Sequence, residues 1–260
     1  MSTDAIPAAL ADALARVSTV NSLLVSSDYD GCIAPIVSRP QDALPLPESI
    51  RALRATADLE GTTVAVISGR ALADLAALSG LSADHITLVG SHGSEFDTGF
   101  GQPITAGQQQ LLERIINEFH SIADEFDGVT VEIKPVSTTL HVRNAGEADA
   151  EKALARARSG PGSWDGVEAT EGKAVIELAV IETSKGKALD LIREATGADA
   201  VIYLGDDVTD EKAFAHLRHD HDISIKVGAG DTGAQYRIAD PHDVAAVLEF
   251  TANARRRAVG

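Results

Sequence analysis

Positive charge is scarce in this chain of 260 residues: 22 lysines and arginines stand against 39 aspartates and glutamates, a net charge of −17. Binding to nucleic-acid phosphates needs a basic face, so no nucleic-acid partner is expected. A small anionic substrate stays admissible where local positive charge overrides the global field. Cysteine is nearly absent. The single Cys32 cannot make an internal disulfide or a cysteine-based zinc centre, and it points to a reducing compartment. Aromatics make up 4% of the chain, which leaves the core to Ala, Val, Leu and Ile. No apolar run approaches the roughly 20 residues of a membrane span, and no basic segment leads into a long apolar run near the start. The expected setting is cytoplasmic, with no membrane partner, and a monomer is the expected state.

What the chain does have is a rhythm of short apolar runs that end in polar residues. Leu23-Leu24-Val25 reads as a buried strand and runs into Asp28-Tyr29-Asp30-Gly31. Side chains alternate along a strand, so Asp28 and Asp30 can face the same way, while Gly31 allows a sharp turn. Carboxylates held this close repel unless a hard cation or a proton lies between them. Further strands are expected over 63–67, 85–89, 200–204 and 223–227, ending at or near Ser68, His92 and Asp206-Asp207. Helices are expected over 4–18, 47–59, 71–79, from Lys185, 210–217 and 242–252. Such alternation is that of a parallel α/β sheet, in which all these strand ends share one edge. Between the two halves the rhythm changes to α-β-β-α-β-β: a helix over 107–125, strands over 129–134 and 138–143, a helix over 147–158, and strands near 167–170 and 174–180. The expected division is therefore a core of 1–103 and 181–260 around an inserted domain of 104–180. The tail Arg255-Arg256-Arg257 reads as a solvated end, and Trp164 as an anchor for its Gly-rich loop.

These residue types permit a narrow chemistry. An Asp carboxylate is a competent nucleophile toward phosphorus, and its attack brings anions together, so it calls for Mg²⁺ and a lysine. Asp28 and Asp206 can supply carboxylates to the cation and Asp30 its carbonyl, with the Asp30 side chain left to carry a proton. Ser68 and the N–H groups after it can hold phosphate oxygens. Lys185 sits unfavourably in a helix first turn, which favours a functional role.

With Asp28-Tyr29-Asp30-Gly31, Ser68-Gly69-Arg70, Lys185-Gly186 and Gly205-Asp206-Asp207-Val208-Thr209-Asp210-Glu211 in this order, the chain resembles the haloacid dehalogenase superfamily. Within it, Ser91-His92-Gly93-Ser94-Glu95 and the segment Val131-Glu132-Ile133-Lys134 through Leu140-His141-Val142-Arg143 are similar to the trehalose-6-phosphate phosphatases. The resemblance spans about residues 23–227. It implies a Rossmann-like haloacid dehalogenase core with an α+β cap, and Mg²⁺-dependent hydrolysis of trehalose 6-phosphate through an aspartyl phosphate. It makes Asp28 the nucleophile, Asp30 the acid/base, and Ser68 and Lys185 phosphate ligands. Mg²⁺ would be held by Asp28, the Asp30 carbonyl and Asp206, with Asp207 and Asp210 close by. Arg70 and His92 are expected near the substrate, and Glu132, Lys134 and Glu177 on the sugar hydroxyls. Cys32 stands where the family commonly has threonine, Ile133 where it has aspartate, and Leu178-Ala179-Val180 where Ile-Arg-Pro is more usual. The alternatives are a phosphatase of another sugar phosphate, such as sucrose phosphate, and a non-catalytic partner of trehalose synthesis.

Overall fold

Leu23–Ser27 (β1) is buried at every position, as a strand covered on both faces of a parallel sheet must be. In the computed structural model, which describes residues 6–82, 85–97, 104–172, 174–181 and 183–260, the chain forms two compact units. One comprises 1–101 with 184–260, the other 102–183.

The first unit is built on a sheet of order β11-β10-β9-β1-β2-β3-β4. Its strands are β1, β2 (Thr62–Ile67), β3 (Thr87–Gly90), β4 (Glu95–Phe96), β9 (Ala200–Gly205), β10 (Ile223–Val227) and β11 (Tyr236–Ile238). All neighbours pair in parallel except β3 and β4. Alternation divides the core into two layers. Leu23 and Val25 pack with Leu10, Leu14, Leu53, Val247 and Leu248, which belong to α1 (Ala8–Val17), α2 (Pro47–Ala57) and α8 (Pro241–Val259). Leu24 packs with Leu189, Ile192 and Phe214, from α6 (Lys185–Thr196) and α7 (Val208–Ala215). From β1 the chain builds outward through β2 and β3, and later returns to the other side of β1 as β9. Strand order therefore reverses between β1 and β9, and the loops that follow them open a crevice there, where such sheets bind ligands.

The second unit follows the expected order, with α4 (Ala106–Glu125), β5 (Thr130–Ile133), β6 (Ser137–His141), α5 (Glu147–Ser159), β7 (Glu168–Gly172) and β8 (Val175–Ala179). Its antiparallel sheet has the order β5-β6-β8-β7. One face carries Leu140, Ile176 and Leu178 against Leu112, Ile115 and Phe119 of α4 and Ala153 and Ala157 of α5. Glu132, Thr139, Glu177 and Thr170 lie in register across the four strands, so a polar row crosses this sheet.

Several sequence expectations need correction. The short strands β4 and β11 carry too few residues to show a period. The helix expected to begin at residue 4 starts, within the described residues, at Ala8 (α1), and residues 4 and 5 lie outside them; residue 103, at the expected domain boundary, also lies outside. The helix expected over 242–252 continues to Val259, and Arg255 is not solvated. It is 1% exposed, and its guanidinium donates to the carbonyls of Ser18, Val20, Asn21, Glu60 and Gly61 and to Thr62 Oγ1. Five N–H donors let one side chain satisfy two loop ends. The partners lie about 200 residues away in sequence, out of reach of a composition argument. Arg256 and Arg257 are exposed, as a solvated tail requires.

Candidate active site

Asp28 stands just past the end of β1 and is 4% exposed. Its N–H donates to Leu204 of the neighbouring strand at 2.8 Å, which fixes where the carboxylate emerges. Oδ1 accepts from the Tyr29 N–H at 2.6 Å, and Oδ2 lies 2.6 Å from Lys185 Nζ. Lys185 opens α6 behind Ser184, whose Oγ caps the helix by accepting from the Lys187 N–H at 3.1 Å. The lysine is itself buried and also donates to Asp210 Oδ1 at 2.9 Å. Burial alone would strip its charge, but Asp28, Asp210 and Asp207 outweigh it and hold its pKa above the ordinary lysine value.

The loop after β9 supplies the other carboxylates. Asp210 is fully buried. Besides Lys185 it accepts from Tyr203 Oη at 2.7 Å and from the N–H groups of Asp206 and Asp207 at 2.9 and 3.1 Å. Gly205 permits this: a Cβ there would collide with Asp210 Cβ. Asp207 caps α7, with Oδ1 accepting from the Thr209 N–H and hydroxyl at 2.8 and 2.6 Å and from the Asp210 N–H at 3.2 Å. Burial works against its charge, but Lys185 and these donors outweigh it and lower its pKa.

Among the described residues Asp206 has no such fork of donors. Burial, then Asp210 and Asp207, push it up to about 6. Carboxylate oxygens of Asp28, Asp206 and Asp210 all lie within 4.8 Å of one another. Burial also raises Asp28 well above its ordinary value, Lys185 pulling it down and Asp210 and Asp206 adding to the rise. Gly31 makes room for this cluster. Its φ is +74°, and a Cβ would collide with Asp206 Oδ2.

Asp30 and Arg70 face the same crevice, a cleft of about 430 Å³ also lined by Asp28, His92, Lys185, Asp206 and Asp207. Arg70 grips Asp30 with both arms of its fork, Nε to Oδ2 at 2.7 Å and Nη2 to Oδ1 at 2.6 Å. Ser68 is fully buried at the end of β2 and does not line this cleft; its Oγ accepts from the Arg70 N–H at 3.2 Å. His92 rests against Gly69. Ser91 and His92 both take positive φ, 47° and 54°, a strain of order 1–3 kcal/mol each for non-glycine residues. The strain is held by main-chain bonds from Ser91 to Arg70 and from His92 to Ser68, and by Glu95, which accepts from the Ser91 hydroxyl and the Leu72 N–H.

The sequence reading missed Tyr203 and Lys226. Lys226 is 4% exposed in β10 and donates to the Asp206 carbonyl. A lysine inside Ile223–Val227, and a tyrosine inside a wholly buried strand, were the available signals, since each needs a polar partner. In the second unit, Glu177 Oε1 accepts from Lys134 Nζ at 3.2 Å and Ser137 Oγ at 2.7 Å. Glu132 instead pairs with His141 Nε2 at 2.8 Å. Lys134 and Glu177 are thus brought together, and Glu132 shares the cross-strand row of Glu177 with a different partner.

A buried carboxylate beside an ammonium, a second carboxylate on the same cleft, and a cluster of hard oxygen donors form a set suited to phosphoryl transfer. The family model for trehalose-phosphatase matches residues 26–243. The trehalose-6-phosphate phosphatase of Escherichia coli is 30% identical over 231 residues, covering 87% of this chain and 85% of that protein. A Mycobacterium tuberculosis protein described as an uncharacterized glycosyl hydrolase is 34% identical over 268 residues, covering 94% of this chain. The chain spans only 20% of that relative's length. The structure of Aspergillus fumigatus trehalose-6-phosphate phosphatase superposes with a TM-score of 0.67 at 27% identity, over 96% of this chain and 98% of that one.

Proposed function

From the premise that the chain belongs to the trehalose-phosphatase family, we propose that it hydrolyses trehalose 6-phosphate to trehalose and phosphate through an aspartyl phosphate on Asp28, with Mg²⁺ as cofactor. The observation that carries this reading is the buried pair of Asp28 and Lys185 at 2.6 Å, set at the strand end where Asp206 and Asp210 converge.

An Asp28 oxygen attacks phosphorus as the bond to the sugar oxygen breaks, and Asp30 gives that oxygen a proton. Water then attacks phosphorus of the acyl phosphate, Asp30 takes its proton, and Asp28 is restored. Lys185 offsets the charge that gathers as two anions approach. Ser68, the expected phosphate ligand, lies buried behind the cleft and shapes the turn that brings Gly69 to its edge, where the Gly69 N–H can meet a phosphate oxygen. Asp210 tethers Lys185 and, through the N–H groups of Asp206 and Asp207, the loop after β9. Arg70 and His92 border the cleft of the first unit. The second unit acts as a cap that reads the sugar hydroxyls with Glu132, Lys134 and Glu177.

The donor set fits Mg²⁺. Asp28, Asp206 and Asp210 converge with hard oxygens only, and with Asp207 they outnumber the buried ammonium groups of Lys185 and Lys226; the Asp30 carbonyl is the neutral ligand the family resemblance adds. When bound, Mg²⁺ supplies positive charge that lets an anionic nucleophile meet an anionic phosphate.

The test is phosphate release across a panel of sugar phosphates, with Mg²⁺ and with EDTA, for the wild type and Asp28→Asn. Trehalose 6-phosphate should be the preferred substrate, and Asp28→Asn should be inactive but folded. Equal rates on many sugar phosphates would remove the trehalose assignment; an active Asp28→Asn protein would remove the mechanism.

A further inference from the structure

The Arg70 guanidinium is turned toward Asp30, where it spends both arms on one carboxylate. A planar fork on a carboxylate fixes the acceptor's orientation as well as its charge. The arginine is itself built in. Its side chain is 14% exposed, its guanidinium carbon lies 5.5 Å from the centre of the Tyr29 ring, its N–H donates to Ser68 Oγ, and its carbonyl accepts from the Ser91 N–H at 2.7 Å. Tyr29 is pinned in turn, fully buried with its hydroxyl donating to the Ala43 carbonyl at 2.8 Å. Asp30 has weaker constraints of its own: its side chain is 36% exposed, and Arg70 supplies both of its side-chain hydrogen bonds among the described residues.

We propose that Arg70 is a positioning residue for the proton carrier Asp30, not a ligand of the substrate phosphate. This rests on the phosphatase reading above. Arg70 makes and breaks no covalent bond. It holds the Asp30 carboxylate aimed into the cleft, so that Asp30 meets the leaving oxygen in the first half-reaction and the attacking water in the second. A half-exposed carboxylate free to rotate would spend much of its time elsewhere, and misaimed acid–base groups lose rate without losing binding.

The readout is dependence on the leaving group. A sugar alkoxide needs a proton to leave; p-nitrophenolate does not. In single-turnover reactions with Mg²⁺ present, Arg70→Met should slow trehalose release by about ten- to a hundredfold, part of what general acid catalysis supplies. It should slow p-nitrophenolate release at least about fivefold less, with KM nearly constant. Arg70→Lys, which keeps the charge without the fork, should recover only part of the loss. On an Asp30→Asn background, Arg70→Met should add less than about twofold, because the two act as one unit. Equal losses on both substrates with weakened inhibition by inorganic phosphate would overturn the proposal in favour of a phosphate ligand. Losses that multiply on the Asp30→Asn background would overturn it too. If Arg70→Met fails to fold, Arg70→Lys alone and on the Asp30→Asn background carries the same comparison. A wild type that cleaves p-nitrophenyl phosphate but not trehalose 6-phosphate refutes the substrate reading alone, and the comparison then runs on glucose 6-phosphate. A wild type that cleaves none of these overturns both.

Discussion

Replacing Asp210 by asparagine keeps the volume and changes one oxygen to an amide NH₂. Each oxygen of this fully buried carboxylate accepts two hydrogen bonds, Oδ1 from Lys185 and Tyr203 and Oδ2 from the N–H groups of Asp206 and Asp207. Asparagine has one acceptor oxygen, so one side must face donors with donors. With NH₂ at the Oδ2 position it meets two backbone N–H groups that cannot turn away. At the Oδ1 position it meets Lys185, which accepts nothing, and Tyr203, whose hydroxyl can rotate to accept. The second orientation is cheaper, and it loses the bond to Lys185. A hydrogen bond to a charged group contributes about 1.5–3 kcal/mol, and the two backbone bonds weaken as their acceptor loses its charge. Lys185 keeps Asp28 as a partner, so the loss sits at the lower end of the 3–5 kcal/mol range for breaking a buried pair, at about 3 kcal/mol. Urea unfolding in EDTA, resolved by hydrogen exchange of the β9 and α7 segments, measures it. Tyr203→Phe, which removes a single donor, should cost about 1 kcal/mol in the same assay. An Asp210→Asn loss no larger than that of Tyr203→Phe would refute the four-bond account.

Gly31→Ala places a methyl against the Asp206 carboxylate at a left-handed φ, so titration calorimetry should find Mg²⁺ affinity lowered by about tenfold or more, in line with the loss of a ligand's supporting geometry; unchanged affinity would exclude Asp206 as a ligand. Arg255→Met strips charged donors from five carbonyls and should cost about 3 kcal/mol in chemical denaturation with KM unaltered; a loss below about 1 kcal/mol would mean the carbonyls find water instead. The raised Asp206 sets a pH dependence. An acid whose value is 3.8 unfolded and about 6 folded binds more protons when folded, so metal-free stability falls as pH rises through that window. The fall should be about 1–2 kcal/mol once solvent screening of this partly exposed group is allowed for. Mg²⁺ should therefore raise the melting temperature more at pH 7.5 than at pH 4.5, and equal increments at the two pH values would refute the linkage.

Much of the core is legible in the chain because its strands are buried on both faces. A continuous apolar run such as Leu23-Leu24-Val25 admits few other readings, and a parallel sheet necessarily brings the ends of its strands to one edge. That is why strand order assigns Asp28, Asp30, Arg70, His92 and Asp206 to one crevice, the cleft they line, which Lys185 joins from the first turn of α6. Local order also carries the changed rhythm of the second unit, since its four strands and two helices each span enough residues to show a period. Strands of two or three residues, as in β4 and β11, carry no such signal.

The order of residues thus yields an inventory and an edge: acids and a serine at the ends of parallel strands, and a lysine opening a helix. Who holds whom is a matter of packing. Packing turns Arg70 onto Asp30, makes Asp210 the buried acceptor for Lys185, and draws Arg255 from the tail into the core. Periodicity records which face of an element is buried, because burial acts on every turn or pleat alike. The hydrogen bonds of Lys185 to Asp210, Arg70 to Asp30 and Arg255 to Ser18 are single directed contacts between residues 25, 40 and 237 positions apart, and such partners are fixed only when the elements pack.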